Sequence, residues 1–224
     1  MIEHGIRLDP QREARVGLDE AIYAAGKSLA QLDAIVGDAL GKGLRRLFTR
    51  LDAEKFAALS APHRGALDYD PVSRTAVLGA PLAPAAPPRV AVVSAGSSDV
   101  PVSREAERTL AYYGETALVV ADAGVAGLWR LLERVEDLRP MRVVIVAAGM
   151  EGALPSVVGG LVPGLVVALP TSVGYGVSAG GRVALDSALA SCSPGIVTVN
   201  IDNGYGAACA ALRALRFAAP KHGA

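Results

Sequence analysis

The sequence predicts an α/β protein: a parallel, doubly wound sheet of about five strands, preceded by a small α+β domain. Three observations carry that expectation. Beyond residue 88, short apolar runs alternate with segments of helical period, as in successive strand–helix–strand crossovers. Prolines at 81, 84, 87 and 88 separate the two halves, where neither a helix nor a central strand is expected. The chain of 224 residues is 51% hydrophobic but only 4% aromatic, so its core is built from small aliphatic side chains that suit closely packed layers.

The elements follow in order. The first 20 residues, with Arg7, Asp9, Arg12, Arg15 and Glu20, read as an arm outside the core. Ser28 is placed to cap a helix in which Leu29, Leu32, Ile35, Val36, Ala39 and Leu40 recur at helical spacing, and Gly41 is a natural stop. Arg46–Thr49 reads as a strand and Asp52 as the cap of a helix reaching Leu59. Tyr69 and Thr75–Leu78 suit a hairpin about Asp70-Pro71. Residues 1–80 form this domain, 81–88 a stiff extended linker, 89–218 the sheet domain and 219–224 a tail.

In the second half the expected strands are Val90–Val93, Thr116–Val120, Val143–Ala147, Leu165–Leu169 and Ile196–Val199. Helical patterns cover Val102–Tyr113, Val125–Val135, Ala153–Leu161, Ser178–Ala190 and Tyr205–Phe217. Right-handed crossovers then cover both faces of the sheet. Ligands of such sheets sit at the carboxyl ends of the strands, near the point where strand order reverses.

Composition excludes several classes. Lys plus Arg and Asp plus Glu are both 22, which argues against electrostatic binding of nucleic acid. The longest apolar run, Leu161–Leu169, is broken by Pro163 and Gly164, far short of a membrane span. No secretory leader is read at the N-terminus, so the expectation is a cytoplasmic protein with neither membrane nor nucleic-acid partners. Cys192 and Cys209 are then expected as free thiols. The histidines, His4, His63 and His222, form no zinc spacing, and neither a GxGxxG nor a P-loop occurs.

The loops after the strands hold the polar groups. Ser94, Gly96, Ser97 and Asp99 follow the first strand, either as a phosphate cradle or as an ordinary turn with Asp99 capping the next helix. Gly149, Met150, Glu151 and Gly152 follow the third, where Glu151 is either a solvated carboxylate or a general base. Thr171, Ser172 and Gly174 follow the fourth and offer hydroxyls and amides. Asn200 and Asp202 follow the fifth; Asn203-Gly204 is a turn signal, and Asp202 is a candidate for a ribose hydroxyl or a metal. Cys192, before Ser193-Pro194, is either inert packing or a reactive thiolate.

These loops carry a resemblance. Gly96-Ser97-Ser98-Asp99 resembles the opening turn of the phosphoribosylaminoimidazole carboxylases of purine synthesis, the PurE family. Closer still is the LarB family of nickel-pincer cofactor biosynthesis, PurE-like in this half with an added N-terminal domain. The similar runs are RLDPQREARVGLDEAIYAAGKS, LDYDPVSRTAVLG, VSAGSSDVPVSREA, DAGVAGLWRLL, VVIVAAGMEGALPSVVGGL, LPTSVGYG and SCSPGIVTVNIDNGYGA. Two positions depart: Ala153 stands where purine carboxylases place a histidine before leucine-proline, and Ala25 stands where an acid usually precedes Gly26-Lys27.

The resemblance implies a PurE/flavodoxin-like sheet and a synthase of pyridinium-3,5-biscarboxylic acid mononucleotide. Its substrates would be nicotinic acid adenine dinucleotide and carbon dioxide, and AMP would leave on hydrolysis of the phosphoanhydride. It further implies magnesium, with Asp99 or Asp202 as candidate ligands, no tightly bound organic cofactor, and a homo-oligomer, octameric as in the purine carboxylases. Cys192 takes the family's nucleophile position, Glu151 its base and Lys27 a substrate contact. Against this stand a purine-type carboxylase and a non-catalytic nucleotide-binding protein.

Overall fold

A computed structural model describes residues 5–217 of the chain. They divide into two compact units, the second beginning at Ala83. The tail at 219–224 and two of the histidines, His4 and His222, lie outside the described residues.

The first unit contains helix α1 (Arg12–Val16), strand β1 (Ile22–Tyr23), helix α2 (Leu29–Gly41), strand β2 (Arg46–Thr49), helices α3 (Ala53–Ala58) and α4 (Ala61–Gly65), and strands β3 (Leu67–Asp70) and β4 (Thr75–Leu78). Its sheet has the order β1-β2-β4-β3. Ser28 and Gln31 form a reciprocal capping box that starts α2. Of the expected apolar stripe, Leu32, Ile35, Val36 and Ala39 are buried, whereas Leu29 and Leu40 at its ends are exposed. Asp52 caps α3 by accepting from the Lys55 amide at 2.8 Å. The hairpin pairs Leu67–Asp70 with Thr75–Leu78.

The arm is a correction. Ile6 is 6% exposed and packs, with Leu8, into the same core as Phe48 and Leu51, and Leu18 is 4% exposed; just beyond the arm, Ile22–Tyr23 pairs in parallel with Phe48–Thr49. The charges at 7, 9, 12, 15 and 20 concealed isolated apolar residues, each too sparse to show a period.

The second unit contains β5 (Ala85–Ser94), α5 (Val100–Tyr112), β6 (Glu115–Val120), α6 (Leu128–Leu132), α7 (Val135–Leu138), β7 (Val143–Ala148), α8 (Leu154–Gly159), β8 (Leu165–Pro170), α9 (Arg182–Leu189), β9 (Val197–Thr198) and α10 (Gly204–Phe217). The sheet order is β6-β5-β7-β8-β9, and every neighbouring pair is parallel. All six residues of central β7 are buried, because helices cover both faces. Val144 and Val146 meet Leu131, Leu138, Leu154 and Val158; by the two-residue period, the opposite face belongs to α5 and α10, which pack against each other and the sheet.

Three expected elements differ. Ala85–Pro88, assigned to the linker, opens strand β5; the register shifts between Ala85 and Val90, so the prolines occupy an irregular stretch that makes few demands on N–H donors. The single helix expected over Val125–Val135 is α6 and α7 with a turn between. Ser178–Ala190 is α-helical only from Arg182; before it lies a 3₁₀ stretch, Gly176–Gly181, broken at Ala179 and Gly180, and Gly180 and Gly181 adopt left-handed φ of 77° and 79°.

Candidate active site

The chain reverses direction across the sheet between β5 and β7: β6 lies on one side of β5, β7 and its successors on the other. The loops leaving the carboxyl ends of β5 and β7 therefore part at a switch point. A cavity of about 410 Å³ opens there, between the loops after β5, β6 and β7.

Its floor is tied together by Asp99, which is 4% exposed. One carboxylate oxygen accepts from the Gly96 amide at 2.9 Å. The other accepts from the Thr171 hydroxyl at 2.5 Å, and the Gly149 amide also donates to this carboxylate. Asp99 thus joins three loops. Burial pushes its carboxyl above the usual 3.8, against the lowering effect of those hydrogen bonds, and the charge of Asp202 adds to the rise. Asp99 precedes α5 but makes no side-chain bond to that helix; its cap closes back onto Gly96.

The turn bearing Glu151 is fixed just as tightly. The Met150 amide donates to the Val173 carbonyl at 2.7 Å. Met150 and Gly152, on either side of Glu151, hold left-handed φ of 54° and 66°. A Cβ on Gly149 would meet the Val173 carbonyl at 2.3 Å and Thr171 Oγ1 at 2.7 Å, so only glycine allows this approach. The Glu151 side chain is exposed at the cavity wall, and Ala153 lines the wall beside it.

Of the residues expected at a site, the structure brings Gly96, Asp99, Gly149, Met150 and Glu151 into one cavity. Ser94 is buried, its hydroxyl accepting from the Asp122 amide at 3.4 Å, and Ser97 is exposed outside the lining. Gly152 packs against Ala184 and Gly174 against Ser178. Thr171 is fully buried with its proton committed to Asp99. The Ser172 amide donates to Asp202 at 2.8 Å, and Asn200 folds onto the Ile201 amide at 2.9 Å. Cys192 is an exposed free thiol in the loop from α9 to β9, outside the cavity lining. Its neighbour Ser191 shares a 2.7 Å hydrogen bond with Ser156 of α8.

Lys27 belongs to the first unit, just after the turn Ala24–Gly26. There the Lys55 ammonium donates to the carbonyls of Ala24, Ala25 and Lys27 at 3.1, 2.8 and 3.0 Å, fixing that turn.

Two charged cavity residues lie outside the expected site set, although both fall within the run DAGVAGLWRLL. Asp122 and Arg130 line the wall contributed by the β6 loop and α6 and form an ion pair. Their spacing, eight residues across a 3₁₀ turn and a short helix, has no local periodic signature.

Among the described residues no three His, Cys, Asp or Glu side chains converge to hold a metal ion. Asp99 is buried and hydrogen-bonded, and Asp202 accepts from Ser172. Among the described residues no closed all-protein magnesium site is therefore built; magnesium is commonly held by one or two carboxylates together with water and substrate phosphate. No helix among the described residues is long and apolar enough to cross a membrane.

A parallel sheet in the flavodoxin order, with a walled cavity at its switch point, defines a doubly wound α/β domain, a class whose ligands sit at the carboxyl ends of the strands. A crystal structure of a substituted PurE2 from Treponema denticola shares this fold, with a TM-score of 0.50 at 22% identity over 59% of this chain and 82% of that one. An uncharacterised protein of Methanocaldococcus jannaschii is 34% identical over 213 residues, covering 92% of this chain and 82% of its own length. Family models match residues 4–80 as a LarB/PurE-like N-terminal domain and 89–223 as AIR carboxylase. The chain belongs to the AIR carboxylase family and has the two-domain architecture of LarB.

Proposed function

We propose that the chain is a pyridinium-3,5-biscarboxylic acid mononucleotide synthase. It carboxylates the pyridinium ring of nicotinic acid adenine dinucleotide at carbon 5 and hydrolyses the phosphoanhydride with one water, releasing AMP. The observation that carries this reading is Ala153. It lines the cavity two residues beyond Glu151, where purine carboxylases present a histidine. The only histidines are 4, 63 and 222, so none lies in the second unit up to residue 217. A carboxylase built on this cavity moves protons with a carboxylate; of the three in its lining, Asp99 is buried and bonded to Thr171 and Asp122 is paired with Arg130, which leaves Glu151, exposed at the wall.

The chemistry accounts for both an acid and a thiol. A pyridinium carbon is electron-poor and does not attack carbon dioxide. Addition of the Cys192 thiolate para to the ring nitrogen places the electron pair in a dihydropyridine, whose carbon 5 is an enamine carbon. That carbon attacks carbon dioxide, forming the new C–C bond and an iminium. Glu151 takes the carbon 5 proton. The ring electrons then expel the thiolate and restore aromaticity.

Cys192 is exposed and outside the cavity of its own chain. We further propose a homo-oligomer in which Cys192 of a second copy completes the site. The reading is tested by incubating the purified chain with the dinucleotide, bicarbonate and magnesium and analysing products by mass spectrometry. AMP and a dicarboxylated mononucleotide are expected; absence of both sinks the proposal.

A further inference from the structure

Arg130 is the one basic residue among the described residues that line the cavity, in a lining that also holds three acids, Asp99, Asp122 and Glu151. Its orientation is built by two neighbours. Nη1 donates to Asp122 Oδ2, and Asp122 itself sits in a left-handed conformation, φ 57°. The guanidinium lies over Gly127: a Cβ there would meet Nε at 2.7 Å and Nη2 at 3.0 Å. Gly127 has an ordinary negative φ of −121°, so the missing side chain serves space rather than backbone conformation. The side chain of Arg130 is 33% exposed, partly shielded by the cavity wall yet open to a ligand. A guanidinium has five donors in a planar fork, and the described hydrogen bond uses Nη1 alone.

We infer that Arg130 is the phosphate-binding residue of this cavity, held by Asp122 and accommodated by Gly127, and that it recognises a phosphate or pyrophosphate group of the substrate. The inference rests on the proposed nucleotide substrate but not on the carboxylation chemistry. A planar fork matches phosphate oxygens in a way an ammonium does not. An otherwise acidic lining would repel such a ligand without this cation, so Arg130 decides that phosphorylated molecules enter. The carboxylate of nicotinic acid is the competing source of negative charge.

The test is calorimetric titration of the full chain with inorganic pyrophosphate and, separately, with nicotinic acid. Pyrophosphate affinity is expected to fall at least about tenfold in Arg130→Gln and by less in Arg130→Lys. Gly127→Ala, which keeps every charge but displaces the guanidinium, is expected to weaken pyrophosphate as well. Should Arg130→Gln melt at a lower temperature than the parent chain, Gly127→Ala decides. No pyrophosphate binding by the parent chain, unchanged binding in the folded variants, or a loss confined to nicotinic acid would each overturn the inference. Turnover is not needed: a chain that makes no dicarboxylated product, yet loses pyrophosphate with Arg130, keeps this anchor and discards the synthase.

Discussion

The Thr171 hydroxyl donates to Asp99 Oδ1 at 2.5 Å, across 72 positions of sequence. Both residues are buried, so the bond ties the loop after β8 to the loop after β5 beneath the cavity. Thr171→Val keeps the shape and removes the donor. The loss is expected to be about 1–3 kcal/mol in urea unfolding, because a buried acceptor is left short of a partner.

Asp99 also sets a pH dependence. Its folded carboxyl is held above the ordinary value of 3.8, first by burial. The folded state then keeps the proton at pH values where the unfolded state has lost it. The associated stability is full below the unfolded value and is lost as pH rises through the folded one. Asp99→Asn cannot titrate. The stability of the parent chain relative to this variant is therefore expected to decline as pH rises above about 3.8. A difference constant from pH 4 to 8, by urea unfolding, would exclude the assignment.

Gly149→Ala is the steric counterpart. The new methyl would press on the Val173 carbonyl at 2.3 Å, a backbone atom with little room to retreat. Destabilisation of about 1–3 kcal/mol is expected. The Glu151 turn should move with it, so carboxylation falls in the same variant, read by product mass spectrometry.

Glu151→Gln separates chemistry from stability. The side chain is exposed, and its replacement is expected to shift unfolding by less than about 0.5 kcal/mol. Loss of a general base should lower the carboxylation rate by about 10²–10⁴-fold. A variant retaining the parent rate in single-turnover measurements would remove Glu151 from the mechanism.

Mixed oligomers test the origin of the thiol. Cys192→Ser and Glu151→Gln chains are each expected to be strongly impaired alone. Reassembled together, they should recover activity if Cys192 acts in the cavity of a neighbouring copy. Failure of mixed assemblies to make product would place both groups in one chain.

The local elements were legible because their causes are local. Ser28 with Gln31 starts a helix wherever an apolar stripe follows, and Val143–Ala147 reads as a central strand because both faces of β7 are apolar. Breaks were less legible: Gly180 and Gly181 interrupt the start of one expected helix by their left-handed conformations, and glycine tolerates either hand. Ile6 reads as part of a charged arm until a core is present to receive it.

From residue order alone came the parallel class of the sheet, its strands and the loops that could meet a ligand. Only tertiary structure decided which of those loops converge. The order β6-β5-β7-β8-β9 places Asp99, Arg130 and Glu151 around one cavity and leaves Cys192 of the same chain outside it. The physical reason is that periodicity reports which face a residue buries, whereas the meeting of distant loops depends on strand order and crossover packing, which no local pattern encodes.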